Sequence, residues 1–401
     1  MGSYTELLRT PGVGRIIAAQ LTARFPFGML SLAFLLHVER VHDSYAAAGL
    51  VLGSMSIGQA IAGPLTSRLM GRLGMRRVLT ATLIVCAAAI IAMALLPLEI
   101  WQFVVIGFVA GLSMPPVQPA VRTIYPKMVP SSQLTPLFSL DASAQEIIWV
   151  LGPVLTTFVS IQISTVAGIL TAAFFLVGGG IWFIASPEVG RVRIPPSRRK
   201  LGVVLTKPPV LLATVVGFLL VGACAAVEAG VVAVFGEGGV ESGVVLAVFA
   251  AGSLVGGLTL GHIPISRWAT ARRMLIVTVG MGLAAFSTDF WWLSITLFLA
   301  GVGIAPALAA LFTITAASVK FSDTAEAYGW VGTGQLIGAA LGSAIAGVQI
   351  DRSGPTAAIV VAAVFAFVGF VVPALGRRFH PDLRGRDASP LPDTEPVELP
   401  T

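Results

Sequence analysis

The chain contains few charged residues. Aspartate, glutamate, lysine and arginine together make up 11% of its 401 residues, against about 25% in an ordinary soluble domain. Hydrophobic residues make up 56%, and the mean hydropathy is +0.91. A soluble fold of this size needs far more charge on its surface, so the composition excludes one and predicts a polytopic membrane protein.

Cysteine and histidine are scarce as well. Cys86 and Cys224 each lie within a long apolar run, where we interpret them as packing residues rather than as partners in a disulfide. All four histidines fall at or beyond the ends of the apolar runs: His37, His42, His262 and His380. A serine nucleophile or a metal site inside the membrane would lack its usual histidine partner. The sequence therefore disfavours an enzyme and predicts neither a metal nor a cofactor.

Long apolar runs dominate the rest of the sequence. A helix needs about 20 apolar residues to cross a hydrocarbon layer of about 30 Å, and these runs lack the period-two alternation of a membrane barrel. No basic segment with a cleavage site precedes the first run, so we expect no removable signal peptide. Twelve spans are predicted: 13–37, 45–70, 78–97, 100–121, 136–159, 163–185, 208–235, 240–262, 274–289, 291–317, 325–349 and 354–376.

Basic residues are distributed unevenly between the predicted loops. With the N-terminus inside, 22 of the 25 lysines and arginines lie in inner loops or termini, only Arg40 and Arg352 lie outside, and Arg24 falls within span 1. Because lysine and arginine collect in cytoplasmic loops, we expect a protein of the cell membrane with both termini in the cytoplasm. This asymmetry explains the pI of about 9.8 without nucleic acid as a partner.

The spans divide into two sets of six. A polar, basic connector lies near the middle of the chain, and an Arg-Arg-x-Leu pattern in the second half, at Arg273, repeats one in the first, at Arg77. Such an internal repeat is typical of transporters built from two related bundles. The predicted units are an N-terminal bundle at 1–185, a cytoplasmic linker at 186–207, a C-terminal bundle at 208–376 and a disordered cytoplasmic tail at 377–401.

The loop after span 2 resembles the signature of the major facilitator superfamily. The residues that match are Gly63, Pro64, Arg72, Gly74, Arg76, Arg77 and Leu79. Gly71 stands where the family usually has an acidic residue. The Gly152-Pro153 pair in span 5 is similar to an element of the family's proton-driven exporters, and the segments ARFPFGML, GSLVGGL and AEAYGWVGTG resemble uncharacterised actinobacterial members.

This resemblance implies an all-α fold of twelve helices in two pseudo-symmetric bundles that alternate between inward-open and outward-open states around a central cavity. The sequence contains no GxxxxGK phosphate loop, so it has no recognisable ATP site. We expect a monomeric secondary transporter that exports a small organic or amphiphilic molecule, such as a drug, a metabolite or a sugar, in exchange for protons. The alternatives are a proton-coupled uptake symporter and a non-transporting sensor or scaffold.

Ionisable residues within the spans are candidates for function, because a charge in the bilayer centre costs roughly 2.5–3.5 kcal/mol. Arg24 lies close to the midplane of span 1, and Pro26 just after it should kink the helix, since proline has no amide hydrogen to donate to the carbonyl of Thr22. Glu146 reaches a similar depth in span 5. We therefore hypothesise that Arg24 and Glu146 pair, either as a fixed structural pair or as one that is remade or protonated during transport.

Asp141 and Glu228 are the other acids within the spans. Asp141 lies about 140° around the helix from Glu146 and nearer the cytoplasm, so we interpret it as a cavity-mouth acid or a helix contact, or else as a proton or substrate site. Glu228 has no basic residue near it in the sequence. It is a candidate for binding a proton or a cationic substrate, with an ordinary vestibule acid as the alternative.

Glu326 opens span 11 and allows two interpretations. With Asp323 three residues earlier, it fits a capping box at the start of a helix. Alternatively, Glu326 supplies the acid missing at Gly71 and pairs with Arg68 or Arg72 across the two halves, as an inner latch.

Small residues and prolines recur at regular places. The glycines of span 11, Gly334, Gly338 and Gly342, are spaced four apart, which favours close helix packing over a nucleotide-binding loop. Prolines near the inner end of span 4 predict a helix that ends or is distorted, or a gating hinge: Pro115, Pro116 and Pro119.

Overall fold

A computed structural model of the protein describes residues 2–197, 199–236 and 240–393. Helices form almost all of this part of the chain. The strand-like pairing within it is a single parallel bridge between Lys320 and Leu391. An all-helical fold is what the long apolar runs require, because a helix satisfies its backbone hydrogen bonds within one segment.

The N-terminal half contains six spans, preceded by a short helix at Gly2–Arg9. Two of the six are interrupted. The spans are Val13–His42 (span 1), Tyr45–Leu73 (span 2), Met75–Leu95 (span 3), Ile100–Lys127 (span 4), Ser131–Gln162 (span 5) and Thr165–Ala185 (span 6).

The C-terminal half contains six more, after a linker with a short helix at Pro187–Arg191 and a 3-10 turn at Val203–Thr206. The spans are Pro208–Phe235 (span 7), Val240–Leu260 (span 8), Ala269–Ala284 (span 9), Phe290–Ser318 (span 10), Phe321–Ser353 (span 11) and Pro355–Leu375 (span 12). We call the end of the molecule that carries the 186–207 linker the linker end.

Span 9 is the shortest of the twelve. Eleven helices of the described chain are long and apolar enough to cross a membrane, whereas Ala269–Ala284 has 16 residues. The predicted range of 274–289 misplaced this span, because the helix begins before Arg272 and Arg273. The Arg273 side chain donates to the backbone oxygens of Pro306, at 2.9 Å, and Ile263, at 3.0 Å.

Proline breaks two spans, as predicted. In span 1 the α-helix Val13–Arg24 gives way to a 3-10 turn at Phe25–Gly28, and the Phe25 amide donates to the Thr22 oxygen in place of the missing Pro26 donor. In span 4 the helix Ile100–Leu112 ends before Pro115 and Pro116, and a second helix follows at Val117–Ile124. These breaks are the kind expected where proline interrupts a membrane helix.

The two halves repeat the same helix contacts. Span 2 packs on span 4, span 1 on span 6 and span 3 on span 6; in the other half span 8 packs on span 10, span 7 on span 12 and span 9 on span 12. Glycine permits the first of these contacts in both halves. A β-carbon on Gly111 would lie 1.9 Å from the Met55 oxygen, and one on Gly256 would lie 2.0 Å from the Val302 oxygen. The repeat is therefore structural as well as a pattern of sequence.

The segment after span 12 follows a defined path. The Leu383 amide donates to the Ile265 oxygen at 2.9 Å, the Leu391 amide donates to the Val319 oxygen at 2.9 Å, and the Phe321 amide donates to the Leu391 oxygen at 3.0 Å. The sequence predicted disorder from residue 377, and residues 377–393 differ from that expectation because backbone hydrogen bonds fix them. The rest of the predicted tail, 394–401, lies outside the described residues.

Candidate functional site

Arg24 lies at the centre of a buried polar cluster within the N-terminal half. It ends the α-helical part of span 1, directly before the 3-10 turn, and its side chain is 5% exposed. Its Nη1 donates to Gln20 Oε1 at 2.7 Å and to Asp141 Oδ1 at 3.5 Å, and its Nη2 donates to Gln145 Oε1. Gln20 Nε2 also donates to Asp141 Oδ1, at 2.9 Å. Spans 1 and 5 are thus joined by charge-assisted hydrogen bonds.

Span 4 adds a second arginine to this cluster. Arg122 is 1% exposed, and its Nε donates to Asp141 Oδ2 at 3.4 Å. The Tyr125 hydroxyl donates to Asp141 Oδ1 at 3.2 Å. With its amide oxygen turned towards the guanidinium groups, Gln118 accepts from Arg122 Nη1 at 2.9 Å, Arg122 Nη2 at 2.7 Å and Arg24 Nη2 at 3.1 Å. One carboxylate and several amide oxygens therefore compensate two buried cations.

The hypothesis that Arg24 pairs with Glu146 is wrong, and so is the interpretation of Asp141 as a cavity-mouth acid. Asp141 is fully buried and is the partner of Arg24. The reason is helix geometry: Asp141 and Gln145 are four residues apart and share the face of span 5 that meets spans 1 and 4. Glu146 is turned 100° away from Gln145, and so it points elsewhere.

Glu146 faces the C-terminal half. Ser253 of span 8 donates its hydroxyl hydrogen to Glu146 Oε1 at 2.8 Å. Glu228 of span 7 is near enough for its charge to interact with that of Glu146 and with Cys224. As whole residues, Glu146 is half-buried and Glu228 is exposed. Among the described residues, neither carboxylate forms an ion pair.

A second set of contacts closes the molecule at the linker end. Arg68 of span 2 donates from Nη1 to Glu326 Oε2 of span 11 at 2.8 Å, and Arg68 Nη2 also donates to the Arg199 oxygen of the linker. The Gly202 amide donates to Glu326 Oε1 at 2.7 Å. The cross-half contact that the latch hypothesis requires is therefore present, and the linker takes part in it.

The capping-box interpretation of Glu326 is wrong. Span 11 begins at Phe321 with Lys320 as its N-cap, so Asp323 lies inside the first turn rather than at the cap position. Asp323 instead lies near the linker, with Oδ2 at 3.9 Å from Arg199 Nε. Glu326 uses both carboxylate oxygens for contacts outside its own helix.

Backbones of the two halves approach closely beside the latch. A β-carbon on Gly329 would lie 2.6 Å from the Gly63 oxygen. One helical turn further on, the Thr333 hydroxyl donates to the Ala60 oxygen at 2.9 Å. Ser139 of span 5 donates to the Gly257 oxygen of span 8 at 2.8 Å. Spans 2 and 11, and spans 5 and 8, thus form the closed contact between the halves.

Aromatic rings fill the space between these helix pairs. Tyr125 and Phe138 come from the N-terminal half, and Phe312 and Tyr328 come from the C-terminal half. The ring centroids of Phe138 lie 5.8 Å from Tyr125, 6.1 Å from Phe312 and 6.2 Å from Tyr328. The Arg122 guanidinium carbon lies 3.3 Å from the centroid of the Phe312 ring. The buried cluster therefore borders the closed end directly.

The remaining residues of the loop signature have separate positions. Gly74 ends span 2 with φ of 92°, a conformation that favours glycine. Arg76 donates to the backbone oxygens of Ile184, at 3.1 Å, and Ser186, at 3.3 Å, whereas Arg72 and Arg77 are exposed. Arg76 thus attaches span 3 to the linker side of span 6.

The structure gives a reason for glycine at position 71. A β-carbon there would lie 3.1 Å from the Pro195 oxygen of the linker, which is tighter than ordinary packing. The linker occupies the space that a longer side chain would need. Glu326 reaches Arg68 from the opposite half instead.

The glycines predicted to pack helices lie against backbone or side-chain atoms of neighbouring spans. In span 11, β-carbons on Gly338 and Gly342 would lie 2.1 Å and 2.2 Å from the Phe218 and Gly222 oxygens, and one on Gly334 would meet Thr214. In span 5, Gly152, which precedes Pro153, would place a β-carbon 2.8 Å from the Gly28 carbonyl carbon. Backbones at these points are in direct contact.

Sequence reasoning missed Arg122 as a site residue, because it assigned that arginine to a cytoplasmic loop. The helix Val117–Ile124 carries it back into the protein. The apolar pattern Val117, Ala120, Val121, Ile124 was a signal that a helix resumes after the prolines. Among the described residues, no three histidine, cysteine, aspartate or glutamate side chains are placed to hold a metal ion.

Comparison with known proteins agrees with this architecture. The sequence profile of the Major Facilitator Superfamily matches residues 16–288 and 240–397. No curated protein sequence matches the chain.

Several solved structures share the fold at low sequence identity. The human organic anion transporter TETRAN superposes with a TM-score of 0.70, at 16% identity over 90% of this chain and 98% of that one. A bacterial homologue of the iron transporter ferroportin, in an outward-facing state, gives 0.73, at 12% identity over 91% and 98%. The E. coli fucose:proton symporter gives 0.67, at 16% identity over 89% and 98%.

Proposed function

The chain belongs to the major facilitator superfamily, and from that premise we propose that it is a proton-coupled secondary transporter that exports a small organic or amphiphilic molecule. Its fold is that of a multi-pass membrane transporter rather than an enzyme. The substrates named for the related structures are those of the related proteins and do not identify the substrate of this chain. For this chain the proposal rests on its own carboxylates and on its closed linker end.

The observation that carries the proposal is the position of Glu146 and Glu228. They come from opposite halves and lie near each other, with Ser253 as a hydrogen-bond donor and no ion-pair partner among the described residues. Two carboxyl groups that share one region repel each other when both are ionised. A bound proton relieves that repulsion, and the site lies where relative motion of the halves would change it.

In the proposed cycle, this site is accessible alternately from one side of the membrane and from the other. The latch between Arg68 and Glu326 and the aromatic cluster close the linker end. The proposal therefore assigns access to the two carboxylates in this state to the opposite side. Separation of spans 2 and 11 would break the latch and expose the site at the linker end. Proton and substrate compete for Glu146 and Glu228, which couples their movements in opposite directions.

Export is the proposed direction. The Gly152-Pro153 pair packs against Gly28 next to the break in span 1, and it is the element that resembles proton-driven exporters. An uptake symporter would use the same carboxylates with proton and substrate bound together. A sensor or scaffold would keep the fold and lose the dependence on Glu146 and Glu228.

We further propose that the protein acts as a monomer in the cell membrane, with the linker end in the cytoplasm. The support is the concentration of lysine and arginine in the loops of that end. Cysteine labelling of the linker in sealed cells tests this orientation. Labelling by an impermeant reagent would contradict it.

The decisive experiment uses proteoliposomes that contain a pH-sensitive dye and carry an imposed pH gradient. The vesicles contain the full-length protein, and a panel of organic cations, organic anions and sugars is added to the external solution. For an antiporter, entry of substrate drives protons out and raises the internal pH, whereas a symporter lowers it. We expect Glu228→Gln and Glu146→Gln each to reduce this proton flux by about tenfold or more.

Glu241→Gln is the matched control. Glu241 is an exposed glutamate at the start of span 8, the helix that carries Ser253, and its variant should keep the wild-type flux. Wild-type flux in both Glu146→Gln and Glu228→Gln would contradict the assignment of the proton site. Binding of a panel compound without any flux would indicate a sensor.

A further inference from the structure

A cavity of about 560 Å³ lies at the linker end of the C-terminal half, apart from the carboxylate pair. It forms where the loop between spans 8 and 9 meets the chain just after span 12. Half of its ten lining residues are arginines: Arg267, Arg272, Arg377, Arg378 and Arg384. Neither the proposed transport cycle nor the latch uses them.

The cavity carries an excess of positive charge. Its one acidic lining residue is Asp382, which accepts from Arg384 Nη2 at 2.6 Å and from Arg384 Nε at 2.9 Å. Hydrogen bonds from Arg384 lower the pKa of Asp382 to about 2, so this carboxylate stays ionised and neutralises one arginine. The other four arginines of the lining have no carboxylate within it.

The cavity has fixed walls. The hydrogen bond from the Leu383 amide to the Ile265 oxygen attaches the segment after span 12 to the loop between spans 8 and 9. The guanidinium carbon of Arg377 lies 4.8 Å from the centroid of a Trp268 ring, which holds one arginine against the opposite wall. Charged side chains are therefore gathered by the fold rather than carried on a loose tail.

The chemistry of the lining selects an anion with several oxygens. Guanidinium groups present paired N–H donors that match the geometry of phosphate, and several arginines around one cavity compensate a phosphate better than a single carboxylate. Large apolar side chains are exposed beside the arginines at the end of span 12. Leu375 is 79% exposed and Phe379 is 42% exposed, and Trp268 in the cavity wall is 37% exposed. This mixture suits a phosphate joined to an acyl tail at a membrane boundary.

We propose that this cavity binds the phosphate headgroup of an anionic phospholipid in the leaflet at the linker end. Basic cavities at the boundary of membrane helices bind such headgroups through charge and hydrogen bonds together. The lipid would join the loop between spans 8 and 9 to the end of span 12. This proposal stands independently of the transported substrate.

The test measures lipid binding to the full-length protein in a neutral detergent. Short-chain phosphatidylglycerol, phosphatidylcholine and glycerol phosphate are titrated separately, and bound molecules are counted by native mass spectrometry. We expect phosphatidylglycerol to bind at least about tenfold more tightly than the other two. Its affinity should fall as NaCl rises to about 0.5 M, because salt screens exposed charges.

The triple variant Arg267→Gln, Arg272→Gln and Arg378→Gln should weaken phosphatidylglycerol binding by about tenfold or more. A matched triple variant removes three exposed arginines outside the cavity in the N-terminal half and linker, and it should bind as the wild type does. Its changes are Arg9→Gln, Arg191→Gln and Arg193→Gln.

Any one of four results would overturn the proposal. Equal affinity for glycerol phosphate and phosphatidylglycerol would assign the cavity to a soluble phosphate. Unchanged binding in the cavity variant would place the lipid elsewhere. If the triple variant fails to fold, Arg272→Glu alone is measured, and wild-type affinity in that variant or salt-independent binding in the wild type would contradict the assignment.

Discussion

Polar groups that contact each other within one half differ in their pairing from those that meet across the two halves. The cluster of Arg24, Arg122 and Asp141 is buried, and each charged group has a partner of opposite charge from the same half. Across the halves, Glu146 meets Ser253 through one hydrogen bond, and Arg68 meets Glu326 through one ion pair. The first set joins three spans of a single bundle through one shared carboxylate, whereas each contact of the second set joins one span of each half, with the linker taking part in the pair of Arg68 and Glu326.

This difference separates groups needed for folding from groups available for motion. Breaking a buried ion cluster leaves an uncompensated charge and costs several kcal/mol, so the N-terminal cluster should persist throughout any cycle. A single hydrogen bond across the halves, such as the one from Ser253 to Glu146, contributes far less, on the order of 1 kcal/mol. The cross-half contacts are therefore where the two states can interconvert.

The largest expected effect belongs to the within-half cluster. Asp141→Asn leaves two buried guanidinium groups without their carboxylate, so we expect a loss of about 3–5 kcal/mol in the free energy of unfolding. Thermal unfolding of the purified protein in detergent measures it. Glu146→Gln, one turn and a half along the same helix, should unfold close to the wild-type temperature. Equal destabilisation by both variants would erase the distinction between the two sets.

The latch should respond to charge reversal with an intermediate effect. Arg68→Glu and Glu326→Arg each place like charges together and should open the linker end, and the double variant should close it again, with a coupling energy of about 1–3 kcal/mol. Maleimide labelling of Thr333→Cys, at the contact between the halves, reports the opening in a background without Cys86 and Cys224. Absence of rescue in a folded double variant would show that the pair does not act as a latch.

The smallest expected effect concerns one hydroxyl group. Ser253→Ala removes the donor to Glu146 Oε1, and a hydrogen bond worth about 1 kcal/mol changes the ratio of two states by about fivefold. Transport rate should change by up to that factor, with little change in unfolding temperature. Ser294→Ala is the control, since its hydroxyl donates to Phe290 within one helix. A large loss of stability in Ser253→Ala would contradict this expectation, because the contact would then be needed for folding, like the cluster of Arg24, Arg122 and Asp141.

Hydropathy and the distribution of basic residues sufficed to predict the twelve helices and their two sets. Proline chemistry predicted the breaks in spans 1 and 4 because a missing amide hydrogen has a local effect. The error in span 9 arose from a charge: Arg273 was taken to mark a loop, but its guanidinium donates to two backbone oxygens beside a buried helix. A sequence pattern does not show such acceptors, because they come from distant segments.

The site was only partly predictable for a similar reason. Depth along a helix identified Arg24 and Glu146 as candidates for a pair. Pairing also depends on the direction that each side chain faces, and this direction makes Asp141 the partner of Arg24. Arg122 was missed because basic residues near the end of a span are usually in loops. The contact of Arg68 with Glu326 was suggested by an acid missing from one half, whereas the part played by Gly202 in the linker left no trace in the sequence.

The segment after span 12 crosses the linker end of the C-terminal bundle and is held there by backbone hydrogen bonds. Leu383 is fastened to the loop before span 9, and Leu391 is fastened to the residues that join spans 10 and 11. During a rocking movement these loops should then move together as one rigid body. The change in structure would be concentrated at the interface between the two bundles. Slow deuterium uptake at the Leu391 amide would show that this rigid body stays intact during turnover.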